Sequence, residues 1–263
     1  MFNDNDKSRD TRDSEPRERD DIIIGRNAVA EAFRSGRAVD SLFVARGERS
    51  GSVSKLIAIA KDKGVVVKEV DPKKLDFMCA HGNHQGVIAQ CAVKEYSEID
   101  DIFALAQQRG ESPFIIICDE IEDPHNFGAI IRTAESAGAH GIIVPKRRSA
   151  PLSYAVGKAS AGAVEYMPIA RVGNLASAMD ELKQRGMWIY CADMDGEPYY
   201  GTDLRGAIAL VIGSEGYGVG RLIKEKCDFC LSLPMKGKIN SLNASVAAGI
   251  IMYEISRQRL LDR

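Results

Sequence analysis

The 263-residue chain has no run of about eighteen apolar residues, which excludes a membrane-spanning helix. Its first residues lack the apolar stretch of a signal peptide, and their acidic side chains argue against a transit peptide. Cysteine is sparse. Cys79, Cys91, Cys118, Cys191, Cys227 and Cys230 sit mostly in or beside apolar runs, which reads as reduced thiols in a cytoplasmic protein. Metal-ligand patterns are also poor. Cys227-x-x-Cys230 has no second pair at zinc-finger spacing, and Cys79, His81, His84 and Cys91 are irregularly spaced. No metal is expected. Neither a Ser-His-Asp signal nor a His-Glu-x-x-His signal occurs, and no internal repeat is evident.

A large excess of either sign of charge is missing overall, with a net charge of −2. Its distribution is uneven. Residues 1–21 hold 8 acidic and 5 basic side chains, residues 22–92 hold 7 and 11, and residues 93–263 hold 22 and 19. The excess of cations in 22–92 is suggestive of a polyanionic partner, against the alternative of a merely solvated surface. Residues 1–20 mix both signs with almost no apolar residues, so they are expected to be disordered.

With 45% hydrophobic and 27% charged residues, the remainder reads as an ordinary globular protein. Residues 21–92 alternate helix and strand patterns in a compact α/β unit: strands at 41–45, 65–70 and 86–91, helices at 53–60 and after Pro72, with Asp71 as N-cap. Residues 93–112 carry a helical pattern and a polar stretch and read as a linker. From 113 to 263 a second α/β alternation begins. Strands are expected at 114–118, 141–144, 164–169, 187–192, 207–212 and 229–233. Helices are expected at 127–137, 153–159, 175–185 and about 243–260. The fully apolar 114–118 suits a strand buried on both faces of a parallel sheet.

Three constellations could carry chemistry. In 119–138 a strand ends in acids, turns at Asp123-Pro124 and enters a helix near Asn126. Arg132 follows on an apolar segment, so it needs either an anionic neighbour such as Asp119, Glu120 or Glu122, or a site. In 207–220 a strand stops in Gly213, Gly216, Gly218 and Gly220, with Glu215 held in the loop. This glycine triplet resembles that of Rossmann-like methyltransferases, but too little chain follows for that fold. The alternative is a tight solvated turn. In 233–250 a polar loop runs into a helix start carrying Ser241 and Asn243. One N-cap explains only one of them.

In this order the constellations resemble the SpoU/TrmH class of SPOUT RNA ribose methyltransferases. The first motif stands as Asn126, Gly128, Arg132, Thr133, Ala134. The second is Gly213, Ser214, Glu215, Gly216, Gly218. The third is Leu233, Pro234, Met235, Gly237, Ser241, Leu242, Asn243, Ser245, Val246, Ala247, with Ala244 in place of the usual Val. GRNAVAEAF near the start and His84-Gln85-Gly86 are similar to the ribosomal-protein-like substrate-binding domain of many members. Within the class the chain is most similar to the RlmB-type 23S ribosomal RNA guanosine 2′-O-methyltransferases.

The resemblance implies an α/β protein with a trefoil-knotted parallel-sheet methyltransferase domain, a homodimer, and RNA as substrate, ribosomal RNA first and transfer RNA as the alternative. A catalytically inactive RNA- or ribosome-binding module is the reading from another class. S-adenosyl-L-methionine would contact Gly213, Ser214, Gly216, Leu233, Met235, Leu242 and Ala244. Arg132, Asn126, Glu215, Ser241 and Asn243 would serve catalysis. Arg26, Asn27, His84, Gln85, Lys146, Arg147 and Arg148 would meet RNA.

Overall fold

The structure is a computed structural model that describes residues 21–261 apart from 35, 49, 80, 81 and 93. The expectation for residues 1–20, and His81 of the Cys/His pattern, lie outside the described residues.

The N-terminal unit comprises β1 (Ile22–Ile24), α1 (Arg26–Arg34), β2 (Val39–Ala45), α2 (Gly51–Asp62), β3 (Val66–Val70), α3 (Pro72–Met78) and β4 (Val87–Cys91). Its sheet has the order β1-β4-β2-β3, with β2 and β3 parallel and the other pairs antiparallel. Val29 and Phe33 of α1 and Val53 and Leu56 of α2 pack on one face, against Leu42, Val44, Val87 and Ala89. Leu75 of α3 packs on the other, against Phe43 and Ile88. Helices on both faces explain why β2 is buried along its whole length. Asp71 caps α3 by accepting from the Lys73 amide at 2.9 Å, and Pro72 occupies the first helical position.

The second unit comprises α4 (Ile99–Arg109), β5 (Phe114–Cys118), α5 (Pro124–Ser136), β6 (Gly141–Pro145), α6 (Tyr154–Ala159), β7 (Ile169–Val172), α7 (Leu175–Gln184), β8 (Trp188–Pro198), β9 (Ile208–Ile212), α8 (Arg221–Lys226), β10 (Phe229–Ser232) and α9 (Ala244–Leu261). Six parallel strands lie in the order β10-β8-β9-β5-β6-β7. Alternate residues of β5 serve two cores. Phe114, Ile116 and Cys118 meet α5 and α9, whereas Ile115 and Ile117 meet α7 and Ile102 of α4. The stretch read as a linker thus holds a helix that packs on this sheet.

Two expectations need correction, and one element was not expected. Residues 164–169 are not one strand. Ala163–Glu165 form a 3-10 turn and β7 begins only at Ile169. The carbonyls of Val164, Glu165 and Met167 all accept from Lys94 Nζ, which withdraws them from strand pairing. Next, β8 runs six residues beyond Ala192, to Pro198. Its pairing with β10 shifts register between Cys230 and Leu231, where a Cβ on Gly196 would lie 2.5 Å from the Cys230 carbonyl carbon. Finally, the short α8 after the glycine loop was not anticipated.

Candidate active site

The loops after β5 and β9 and the loop ahead of α9 meet at the carboxyl edge of the parallel sheet, where α/β folds bind ligands. Asn243 joins them. Its side-chain amide nitrogen donates to Asn126 Oδ1 at 2.9 Å and to Glu215 Oε1. Its side-chain oxygen accepts from the Ser245 amide at 3.0 Å, from Ser245 Oγ at 2.6 Å and from the Val246 amide at 3.3 Å. Asn243 is therefore the N-cap of α9 and the link between the three motifs. Ser241 is exposed.

Asn126 is buried at the third position of α5, whose N-cap Asp123 accepts from the Asn126 amide at 2.9 Å. Arg132 lies six residues on, about 9 Å along the axis and about 120° around it, so it does not share Asn126's face. It is exposed, and its side chain forms no ion pair or hydrogen bond with any described residue. The alternative pairing with the acids after β5 is not what the fold does. Asp119 accepts from the Gly220 amide at 2.7 Å, and Glu120 pairs with Arg148 at 2.7 Å. Burial raises the Asp119 carboxyl above its usual range, although the Gly220 amide opposes this. Sequence reasoning missed this tie between the loops after β5 and β9. An acid directly after a buried strand, facing a glycine loop, was the available signal.

The glycine loop folds back on itself. The Ser214 amide donates to Gly218 O at 3.0 Å, and the Gly218 amide returns a bond to Ser214 O at 2.9 Å. A Cβ on Gly213 would sit 2.1 Å from the Gly218 carbonyl carbon, so only glycine permits this approach. Gly216 and Gly218 adopt φ of 88° and 66°. Around the loop, Leu233 is half-buried against the core, Ala244 is buried, and Met235 and Leu242 are 37% and 40% exposed. Exposed apolar side chains beside accessible backbone suit the adenosyl and methionyl parts of S-adenosylmethionine, and the residues present fit that group.

The expected RNA contacts divide into two groups. Arg26, Gln85 and His84 are engaged within the N-terminal unit. Arg26 donates to Gln85 O at 2.8 Å and to Ser52 Oγ at 3.1 Å, and lies 3.3 Å from Glu48. His84 accepts from the Gly86 amide through Nδ1 and meets Asp76 through Nε2 at 3.1 Å. Asn27 is exposed. Lys146 and Arg147 are exposed with no carboxylate partner among the described residues, whereas Arg148 is held by Glu120. Glu120 and Arg148 both adopt left-handed backbone, with φ of 58° and 53°.

This is the geometry of an α/β enzyme whose small-molecule site is built from loops beyond its parallel strands. Residues 113–253 match the SpoU rRNA methylase family, and residues 22–97 match the family of RNA 2′-O ribose methyltransferase substrate-binding regions. YacO of Bacillus subtilis (strain 168), whose name places it among TrmH family tRNA/rRNA methyltransferases, is 50% identical over 240 residues, covering 91% of this chain and 96% of that protein. The solved SpoU methyltransferase AviRb of Streptomyces viridochromogenes in complex with AdoMet superimposes with a TM-score of 0.58 at 26% identity, covering 91% of this chain and 90% of its own. An rRNA methyltransferase of Sinorhizobium meliloti gives 0.56 at 26% identity over 90% and 86%. The chain belongs to the SpoU/TrmH family of RNA methyltransferases. It is an S-adenosylmethionine-dependent RNA 2′-O-ribose methyltransferase. Among the described residues no helix is long and apolar enough to cross a membrane, and no cluster suits a metal ion.

Proposed function

We propose that the chain methylates a ribose 2′-OH of large-subunit ribosomal RNA, at a guanosine, in the cytoplasm and as a homodimer. The observation that carries the site is the single amide of Asn243, which holds Asn126 and Glu215 at one point. For ribosomal RNA the support is coverage. The Sinorhizobium rRNA methyltransferase matches both units, 90% of this chain. The A. aeolicus TrmH/SpoU tRNA modifying enzyme, 30% identical with a TM-score of 0.54, covers 58% of this chain and 78% of its own.

S-adenosylmethionine supplies a methyl group on a sulfonium, an electrophile needing no further activation. Gly213, Ser214, Gly216, Leu233, Met235, Leu242 and Ala244 would hold it. The chain's task is to orient the ribose and favour loss of its 2′-hydroxyl proton. With a pKa above about 12, a guanidinium is a poor base. Arg132 instead acts as a cation that stabilises the developing alkoxide or holds the adjoining phosphate. Asn126, Glu215 and Ser241 position the ribose.

Arg132 and Asn126 lie on different faces of α5, which favours a site completed by a second copy. Val246, Ile250 and Tyr253 support this as an exposed apolar stripe on α9, spaced 4 and 3 residues apart. The knotted path of the family is part of this reading and rests on the match of residues 113–253 to the SpoU methylases.

The test is transfer of labelled methyl groups to ribosomal and transfer RNA, with the product mapped by ribose methylation. Arg132→Ala should lower turnover by about 10²- to 10³-fold and leave S-adenosylmethionine binding by calorimetry unchanged. Co-expressed Arg132→Ala and Asn243→Asp subunits should regain activity, because a mixed dimer rebuilds one complete site. Full turnover of Arg132→Ala removes that residue from the mechanism. A mixed dimer as inactive as its parents removes the composite site.

A further inference from the structure

A cavity of about 390 Å³ lies between the two sheets, beside the carboxyl end of β6 and the loop 119–123 that leads to Asn126. Its N-terminal wall is the edge of the small sheet, with Val66 and Lys68 of β3 and Asp40 and Ser41 of β2. Its other wall is the loop 146–151 with Arg171. The back is locked. Asp40 is 2% exposed and forms an ion pair with Arg171, whose guanidinium lies 4.9 Å from the centre of the Tyr96 ring. Arg148 is held by Glu120. Lys68, Lys146 and Arg147 also line the cavity, and none forms an ion pair with a described carboxylate. Glu122 is the remaining acid of the lining. The cavity is thus a net cationic slot beside the active-site loops.

The positive charge continues onto α3. Lys68 shares a face of β3 with Val70, and Val70 packs with Leu75 of α3, so α3 lies over the same face of the small sheet as Lys68; burial and the charge of Lys74 both lower the Lys68 pKa. On α3, Lys73 and Lys74 precede Phe77 by 4 and 3 residues, a spacing that puts all three on one helix face. Leu75 is fully buried on the opposite face. Asp76, the only acid of the helix, is engaged by His84. Phe77 is 84% exposed, although a phenyl ring gains nothing from facing water. Lysines beside an open aromatic ring, leading into a cationic slot, are what a single-stranded nucleic acid needs. Its phosphates take the charges and its unpaired bases stack on the ring. A paired base offers no free face to such a ring.

We propose that an unpaired RNA strand next to the methylated nucleotide runs over α3 into the cavity, with one base stacked on Phe77 and its phosphates held by Lys73, Lys74, Lys68, Lys146 and Arg147. This deepens the ribosomal RNA reading and needs from it only that the substrate is RNA.

The test uses the full chain and a fluorescent, unstructured RNA oligonucleotide, with the duplex of the same sequence as comparison. The single strand should bind more tightly than the duplex. Phe77→Ala should weaken binding by about 5- to 150-fold at every salt concentration without changing the salt dependence, and Phe77→Trp should restore it. Lys146→Ala combined with Arg147→Ala should lower the slope of log affinity against log salt by about 1.4, the value for two phosphate contacts on a single strand. All variants should bind S-adenosylmethionine as the unaltered chain does, which shows that they are folded. The strand path is overturned if Phe77→Ala binds RNA normally, if the double variant keeps the full salt slope, or if the duplex binds at least as well as the single strand. If the oligonucleotide results hold but the unaltered chain methylates no ribosomal RNA, the substrate assignment fails and the strand path stands.

Discussion

Asn243 does two things with one side chain, and they can be separated. Its oxygen caps α9, and its amide nitrogen holds Asn126 and Glu215. Asn243→Asp keeps the cap acceptor and loses the donor. It should reduce methyl transfer at least as strongly as a lost transition-state contact, about 10²-fold, and lower the thermal midpoint at neutral pH, because the new carboxylate faces that of Glu215. Asn243→Ala loses both functions without adding a charge and should cost ~1 kcal/mol of stability relative to the unaltered chain, typical of a removed N-cap, in denaturant titrations. The sequence made Ser241 and Asn243 equal cap candidates. Only the fold distinguishes them, because both are polar residues at the same helix start.

At the scale of elements, the glycines of the motifs are spacing devices. Gly128 lies where α5 crosses α6. A Cβ there would meet Ala159 Cβ at 2.4 Å and the Ser160 amide nitrogen at 2.9 Å. Alanine elsewhere in a helix is favoured over glycine by about 1 kcal/mol, but here the obstacle includes backbone, which cannot rotate aside. Gly128→Ala should therefore destabilise the chain by about 1–3 kcal/mol, seen as a lower denaturant midpoint. A midpoint at or above that of the unaltered chain would show that α6 yields easily. The buried strand β5 and the capped α3 were legible because their signals are local. The 163–165 turn was not, since Lys94 reaches it from about seventy residues away.

Across the whole molecule, the joint between the first core strand and the C-terminal helix carries a pH dependence. His140 is fully buried, and its Nδ1 accepts from the Phe114 amide at 3.0 Å. Nε2 lies 3.2 Å from a Glu111 carboxylate oxygen. Burial, then the charge of Arg109 and to a lesser degree that of Arg259, lower the His140 pKa, while Glu111 opposes them. The unfolded chain therefore takes up this proton more readily than the folded one. The stabilisation is complete above the unfolded value of about 6.5 and is lost as pH falls towards the folded pKa, by at most ~1.4 kcal/mol per pH unit. Denaturant titrations at pH 7 and pH 5 should show this decline. His140→Gln, whose side-chain oxygen can still accept from Phe114, should flatten that part of it. An unchanged pH profile in the variant would assign the decline to other groups.

The sequence by itself determined the two α/β alternations, the buried character of the central strand and the three motifs that mark the family, because periodicity, capping residues and glycine loops are written in neighbouring positions. Tertiary structure decided which of those residues meet. Asn243 reaches Asn126 across 117 positions and Glu215 across 28. It also decided which cations remain available: Arg26 and Arg148 are bound to nearby acids, while Arg132, Lys146 and Arg147 are not. A side chain's partner depends on how distant segments pack, and no local pattern encodes that distance.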